Sequence, residues 1–224
     1  MCFSATASFI AGGGLSAAGA ATLRQAKTRS RLPLAMMPLL FGIQQLTEGV
    51  VWLSAEVVRL QSAAAFLYVM FSHVLWPAYV PFAVMSLERP GRRRTALKAL
   101  LVFGVALGLW LLFYIVQGPV TASLCACGII YSMNMPDIPY GLAAYVFVTC
   151  FSCFLSSHKF IRVFGLAMIG ALAISLWYYR QAFYSVWCFF AAILSLMIYV
   201  HLTQDVKGLA AKASRAVTRS LTKE

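Results

Sequence analysis

Seven apolar runs follow one another along the chain, separated by short polar segments. They cover roughly residues 4–23, 33–54, 63–86, 96–116, 141–156, 160–178 and 183–202. Most of them have the length of about 20 residues that a helix needs to cross the hydrocarbon core of a bilayer. The pattern therefore predicts an all-α polytopic membrane protein, a bundle of seven transmembrane helices.

The composition agrees with this prediction. Of the 224 residues, 62% are hydrophobic and only 11% are charged, whereas charged residues make up about 25% of an average soluble domain. The net charge of +12 would suggest nucleic acid in a soluble protein. Here the basic residues form short clusters between apolar runs, so membrane topology explains them and we expect no nucleic-acid partner.

The distribution of lysine and arginine predicts the orientation. The segments 24–32, 88–98 and 157–162 and the C-terminal tail carry 16 of these residues, and the alternate segments carry only Arg59 and Arg180. Because basic residues accumulate in cytoplasmic loops, we expect the N-terminus outside, the C-terminus inside and a location in a bacterial inner membrane. Basic residues follow the first run and do not precede it, so we expect that run to be a transmembrane helix and not a cleaved signal peptide.

Two segments outside the helices are distinctive. Residues 117–140 form one long, fairly apolar outer loop of the transmembrane domain, residues 1–205, and we expect them to form a re-entrant or surface-lying cap. Residues 206–224 repeat apolar positions every three or four residues between basic ones. They predict an amphipathic cytoplasmic tail that binds anionic lipid; a solvated, frayed tail is the alternative.

Glu48 is the one acidic residue inside a predicted span. An ionisable group in a membrane is costly, so it marks a functional site by default. Gln44 lies one helical turn away, next to Gln45, and His73 precedes Trp76 and a proline in the third span. Counting residues from the outer ends puts Gln44 near the depth of His73.

The start of the first span adds Cys2 and Ser4 to this outer zone. Consecutive spans joined by short loops are usually neighbours, so we expect a polar cavity open to the outside, built by Cys2, Ser4, Gln44, Gln45, Glu48, His73 and Trp76.

Three kinds of chemistry fit these residues. Cys2, Glu48 and His73 could bind a transition metal; a Cys–His pair could act as a nucleophile; Glu48 and His73 could couple protons. The structural alternative is that Glu48 and His73 hydrogen-bond each other or the glutamines and only hold the bundle together. The sequence does not decide whether the protein is an enzyme.

The outer loop contains a second group, Cys125-Ala126-Cys127 followed by Met133-Asn134-Met135. Thiolate and thioether ligands suit Cu(I). Disulfide formation among Cys2, Cys125 and Cys127 is the alternative outside the cytoplasm.

Three stretches together resemble a family of bacterial multi-pass membrane proteins known as a domain of unknown function. They are the opening Met1-Cys2-Phe3-Ser4, the segment Gln44-Gln45-Leu46-Thr47-Glu48 and the segment His73-Val74-Leu75-Trp76-Pro77. The resemblance implies that Cys2, Ser4, Gln44, Gln45, Glu48 and Trp76 belong to signature motifs, and it implies no activity.

The leading functional hypothesis is thus an integral membrane protein with a ligand- or metal-binding cavity in its outer half. The alternatives are a transporter or channel for a small solute, a proton or a metal, and a receptor or assembly partner. The receptor would use residues 117–140 outside and the basic tail inside.

Overall fold

The computed structural model describes residues 4–125, 128–135 and 140–221, with side chains up to residue 204. Within them, seven helical segments coincide with the seven apolar runs, and two strands lie between the fourth and fifth segments. The helices are α1 (Ala5–Gln25), α2 (Leu32–Leu53), α3 (Val58–Leu87), α4 (Arg92–Ile115), α5 (Gly141–Phe154), α6 (Lys159–Tyr178) and α7 (Phe183–Leu221); the strands are β1 (Thr121–Cys125) and β2 (Gly128–Ser132).

Five helices are long and apolar enough to cross a membrane by length and composition. They are α2 with the short turn before it, α3, α4, α6 and the first part of α7, Phe183–Gln204. Of the remaining two, α1 is not among the candidate spans and α5 is apolar but shorter. The helical nature of all seven runs is thus confirmed, whereas length and hydropathy support five crossings.

The outer loop contains the one departure from an all-α fold in the described chain. β1 and β2 form an antiparallel hairpin in which Ser123 pairs with Ile130 and Cys125 pairs with Gly128. Gly128 has a φ of 136°, which favours glycine at this position. The sequence predicted a re-entrant or surface-lying cap here and no strands. Two strands this short give too few alternating apolar and polar positions to be recognised in the sequence.

The basic loops gather at one end of the bundle, here called the basic end. Arg31, Leu87, His158 and His201 line one recess there. The Thr203 hydroxyl also donates to Gln25 Oε1 over 2.9 Å, so the last residue of α1 lies beside the end of the apolar part of α7, Phe183–Gln204. The hairpin covers the opposite end, here called the hairpin end. The alternation of basic and non-basic loops therefore corresponds to two ends of one bundle.

The helices α1 and α2 form the closest helix pair. Gly12 and Gly19 are buried against α2, and the Thr22 hydroxyl donates to the Ala35 carbonyl over 2.8 Å. The four-residue spacing of Gly12, Ser16 and Ala20 in the sequence predicts a face of small residues on α1. Gly12 does face α2, but Ala20 is exposed and Gly19 takes its place, because the two helices cross with a spacing of seven residues.

The helix α7 continues past the predicted boundary at residue 205 and ends at Leu221. The tail is therefore a helical extension of the last apolar helix. Its side chains lie outside the described part of the structure, so its amphipathic character and its affinity for anionic lipid stay predictions.

Glu88 joins two loops at the basic end. Its Oε1 accepts from the Ser156 hydroxyl over 2.7 Å and from the Ser157 amide over 2.8 Å, and the residue is only 6% exposed. Burial alone would raise the pKa of Glu88, but these hydrogen bonds and the nearby charge of His158 hold it below its ordinary value of 4.5. The ionised carboxylate therefore ties the end of α3 to the segment before α6.

The hydrogen bonds of Glu88 to Ser156 and Ser157 should be sensitive to acid. Because the pKa is depressed in the folded protein, its stabilisation is present above pH 4.5 and is lost as the pH falls through the lower folded-state pKa. Glu88→Gln should therefore flatten the stability profile below that pH. Thermal unfolding in detergent as a function of pH measures it, and an unchanged acid profile would contradict the assignment.

Candidate functional site

A hydrogen bond between α2 and α3 sets the level of the candidate site. Trp76 Nε1 donates to Gln44 Oε1 over 2.8 Å, and both side chains are buried. The helices α2 and α3 run in opposite directions, so one turn toward the hairpin end leads from Gln44 to Glu48 and from Trp76 to His73. Glu48 and His73 therefore lie at about the same level.

Glu48 is fully buried on α2. Its Oε1 accepts from the Ser185 hydroxyl of α7 over 2.5 Å. The side chains of Gln45 and Tyr68 also lie close to this carboxyl group, although the Gln45 amide forms no hydrogen bond with it. Glu48 Oε2 has no hydrogen-bond partner, so one face of the carboxyl group is unused.

His73 is held from one side only. Its Nδ1 lies 2.8 Å from the Ser72 hydroxyl, and its ring is tilted against Tyr184 with centroids 4.8 Å apart. Its Nε2 is buried and has no partner. Within the described residues no hydrogen bond joins His73 to Glu48; each is bonded to a serine instead.

Buried polar atoms without partners are concentrated in this region. In folded proteins the large majority of such atoms are hydrogen-bonded to protein or ordered water, and each one left unpaired costs about 1–3 kcal/mol. The unpaired atoms of the predicted site residues are Gln44 Nε2, Gln45 Nε2, Gln45 Oε1, Glu48 Oε2 and His73 Nε2. A group that hydrogen-bonds to them would remove this cost.

Two π-helical turns adjoin the site. Met70–Leu75 interrupts α3 and Phe147–Phe151 interrupts α5. The two interrupted helices are linked, because the Tyr145 hydroxyl donates to the Ser72 carbonyl over 2.5 Å. Such turns are frequent at functional sites. A proline at position 77 predicts a kink in α3, and the first π-helical turn lies directly before it, where the Trp76 amide bonds back to the Phe71 carbonyl.

The structure brings five of the seven predicted site residues into one region: Gln44, Gln45, Glu48, His73 and Trp76. Ser4 is exposed and caps α1 by accepting from the Ala7 amide over 3.2 Å. Cys2 lies outside the described residues.

The depth estimate needs a correction of one turn. Gln44 was expected at the level of His73 but bonds to Trp76. The count assumed that α2 and α3 end at the same level. Gln44 lies nine residues from the end of α2 at Leu53, whereas its partner Trp76 lies eighteen residues from the start of α3 at Val58, so α3 extends beyond the end of α2.

Sequence reasoning missed Ser72 and four further residues of the site. Ser185 and Tyr184 contact Glu48 and His73. Tyr68 and Cys188 complete the group, since the Cys188 thiol interacts with the side chains of Gln44 and Tyr68. Ser185 is 137 residues from Glu48, and no local periodicity links positions so far apart.

The metal hypothesis keeps two donors, Glu48 Oε2 and His73 Nε2, both unpaired. Among the described residues no group of three or more His, Cys, Asp or Glu side chains could hold a metal ion. The third expected ligand, Cys2, lies outside them. In the outer loop, Cys125 is disulfide-bonded and is therefore not a free thiolate for Cu(I).

Gln44, Gln45, Glu48 and His73, together called the polar cluster, combine hydrogen-bond donors and acceptors. The glutamine amides can donate, Glu48 Oε2 can accept, and His73 Nε2 can do either according to its tautomer. The described residues place no lysine or arginine among them. This composition suits a small neutral or cationic group better than an anion.

The comparisons with known proteins identify a family. The model of the family of unknown function DUF6629 matches residues 1–214. No curated protein and no solved structure shows a significant match to the chain. The matched segment contains every helix of the described bundle except the last residues of α7, and the chain belongs to this family of unknown function.

Proposed function

We propose that this chain is an integral membrane protein of seven transmembrane helices, with its N-terminus outside, that binds a small ligand in the outer half of the bundle. The ligand is held by Gln44, Gln45, Glu48 and His73. The observation that carries the proposal is the set of buried polar atoms without partners at these residues.

Two features support the membrane orientation. The basic loops lie at one end of the bundle, as expected for its cytoplasmic end. Cys125, in the hairpin at the opposite end, is disulfide-bonded, and disulfides persist in oxidising compartments outside the cytoplasm. Both features point to the hairpin end as the outer end.

Reporter fusions distinguish seven crossings from five. If α1 and α5 both cross the membrane, His158 and Gln204 lie in the cytoplasm. If neither crosses and the loop before α2 stays cytoplasmic, both positions lie outside. We expect fluorescent-protein fusions after these residues to fluoresce and alkaline phosphatase fusions there to be inactive. The fusion after Gln117 should give the opposite result. Active phosphatase after His158 and Gln204 would reject the seven-helix topology.

The interior favours binding over transport. Between the polar cluster and the basic end, the core consists of apolar side chains such as Met37, Leu97 and Ile198. A polar ligand that reaches Glu48 from the hairpin end therefore meets an apolar barrier. No contact in the described structure favours the transporter or the receptor over the binding protein.

The ligand proposal is tested by what copurifies with the protein. Wild type, Glu48→Gln and His73→Ala are purified in detergent and analysed by elemental mass spectrometry, absorption spectroscopy and mass spectrometry of an organic extract. We expect one stoichiometric species in wild type and its loss in both variants. A metal would make hydrolytic or redox chemistry the next question. The same content in all three proteins would reject the site.

A further inference from the structure

An apolar cavity lies next to the polar cluster, on the side of the basic end. Two residues belong to both: Trp76, which bonds to Gln44, and Cys188, which interacts with Gln44 and Tyr68. The remaining walls come from α2, α3, α5, α6 and α7 and are mostly aromatic or sulfur-containing: Met37, Phe41, Val80, Tyr145, Thr149, Cys150, Cys153, Phe164, Met168, Trp187 and Ala191.

The polar groups in these walls are already bonded to other parts of the protein. Trp187 Nε1 donates to the Met168 carbonyl over 3.1 Å, and the Thr149 hydroxyl donates to the Tyr145 carbonyl over 2.8 Å. The Tyr145 hydroxyl bonds to the Ser72 carbonyl. A cavity whose walls offer water no partner stays dry, so its occupant is apolar.

The size of the cavity restricts that occupant. Its volume is about 40 Å³, and about 10–15 Å³ of such space holds one water-sized group. A ring the size of benzene occupies an engineered cavity of about 150 Å³. The cavity therefore fits the end of one hydrocarbon chain and excludes a ring system.

The geometry of the two sites points to a ligand with a polar head and a single apolar chain. Glu48 lies one turn from Gln44 on α2. Met37, in the cavity wall, lies about 16 Å from Glu48 along the same helix, at about 1.5 Å per residue. A chain attached to a head at Glu48 and running toward the basic end would pass Trp76 and end in the cavity. The head would lie toward the outer surface, as in an outer-leaflet lipid.

Resting on the proposed function, we propose that the ligand is a single-chain amphiphile with an uncharged, hydroxyl-bearing head. The head both donates to and accepts from the cluster, matching the unpaired amide, carboxyl and imidazole atoms. An anionic head such as a phosphate would meet the carboxyl group of Glu48 with no lysine or arginine among the described residues around it.

Photolabelling in nanodiscs of defined phospholipid tests the proposal. The probe is monolauroylglycerol with a diazirine at the end of its chain, and the label is mapped by peptide mass spectrometry. We expect label on the α5 and α7 peptides that contain Cys150 and Ala191. Unlabelled monolauroylglycerol should displace it, and lauric acid or a lysophosphatidic acid of the same chain length should not.

Two variants separate the cavity from the polar site. Ala191→Leu fills the cavity and should reduce labelling by about 10-fold or more, the loss of about two buried methylene groups. Cys150→Leu fills it from another helix, in case the first variant folds poorly. Gly170→Leu adds the same side chain at a position with nothing within 4 Å of its Cβ and should label like wild type.

Each outcome decides between the two proposals. Labelling lost in Glu48→Gln but retained in both cavity-filling variants would reject the amphiphile and leave the polar site standing. Labelling unaffected by all of these variants would reject the amphiphile, and the copurification experiment would then decide the polar site by itself. Label confined to lipid-facing surfaces, or equal displacement by the charged competitors, would reject the amphiphile or its uncharged head, respectively.

Discussion

Gly104→Ala should strongly destabilise the bundle. A Cβ at this position would lie far inside the van der Waals contact distance of the Pro77 carbonyl oxygen and 2.9 Å from Val148 Cγ1. Pro81 has no N–H, so the Pro77 carbonyl lacks its usual helical partner, and the close approach of α4 covers it. A backbone carbonyl cannot rotate away, so the helices themselves must separate.

We expect a loss of about 3 kcal/mol, the upper part of the range for overpacked cores, or about 6–12 °C in the unfolding temperature. Cys150, Cys153 and Cys188 are free and buried, so a thiol-reactive fluorescent dye reports their exposure during heating. Because Val148 lies in the second π-helical turn, the variant should also weaken ligand binding.

Gly170→Ala is the matched control. It adds the same methyl group to α6, where nothing lies within 4 Å, and alanine is favoured over glycine in a helix by about 0.5–1 kcal/mol. We expect equal or higher stability. If both variants melted alike, the contact between α3 and α4 at Gly104 would not be a close one.

The same contact shows what the sequence predicts well. The four-residue spacing of Gly104 and Gly108 in the sequence predicts a helix-packing face, and a Cβ built at each position faces the carbonyl of Pro77 or Val74, respectively. Apolar periodicity and small residues are local signals, so the helices and several of their contact faces are readable from the chain. The sequence predicted the contact face of α1 less accurately, because Gly19 and not the expected Ala20 packs against α2.

The site was predicted only in part, for a related reason. Glu48 and His73 were recognisable because an ionisable group in an apolar run is costly wherever it points. Of their two serine partners, only the one next to His73 could have been found from the sequence. Ser72 adjoins His73 in sequence, but Ser185 reaches Glu48 only because α7 packs against both α1 and α2, an arrangement that depends on the whole tertiary structure. The hairpin was missed because its stability comes from Ile129 and Tyr131 packing on the helices.

Glu48→Leu should leave the ligand-free protein at least as stable as wild type while abolishing ligand binding. The carboxyl group is buried with one oxygen unpaired, and replacing buried polar groups by apolar ones of similar volume is often neutral or stabilising. If Glu48 only held the bundle together, its loss would instead cost about 3–5 kcal/mol. The unfolding temperature of the ligand-free variant separates these two roles.

Ser185→Ala completes the test as a double-mutant cycle. Alone, it removes the donor to Glu48 Oε1 and leaves a second carboxyl oxygen short of a hydrogen bond, which should cost about 1–3 kcal/mol. In the Glu48→Leu background the same substitution should cost little, because the acceptor is gone. Glu48→Gln keeps an acceptor for Ser185 and should match wild type in stability but not in binding. A binding site explains this pattern, since its residues are selected for the ligand at some expense of stability; equal costs of Ser185→Ala in both backgrounds would mean that the serine and the carboxyl group act independently.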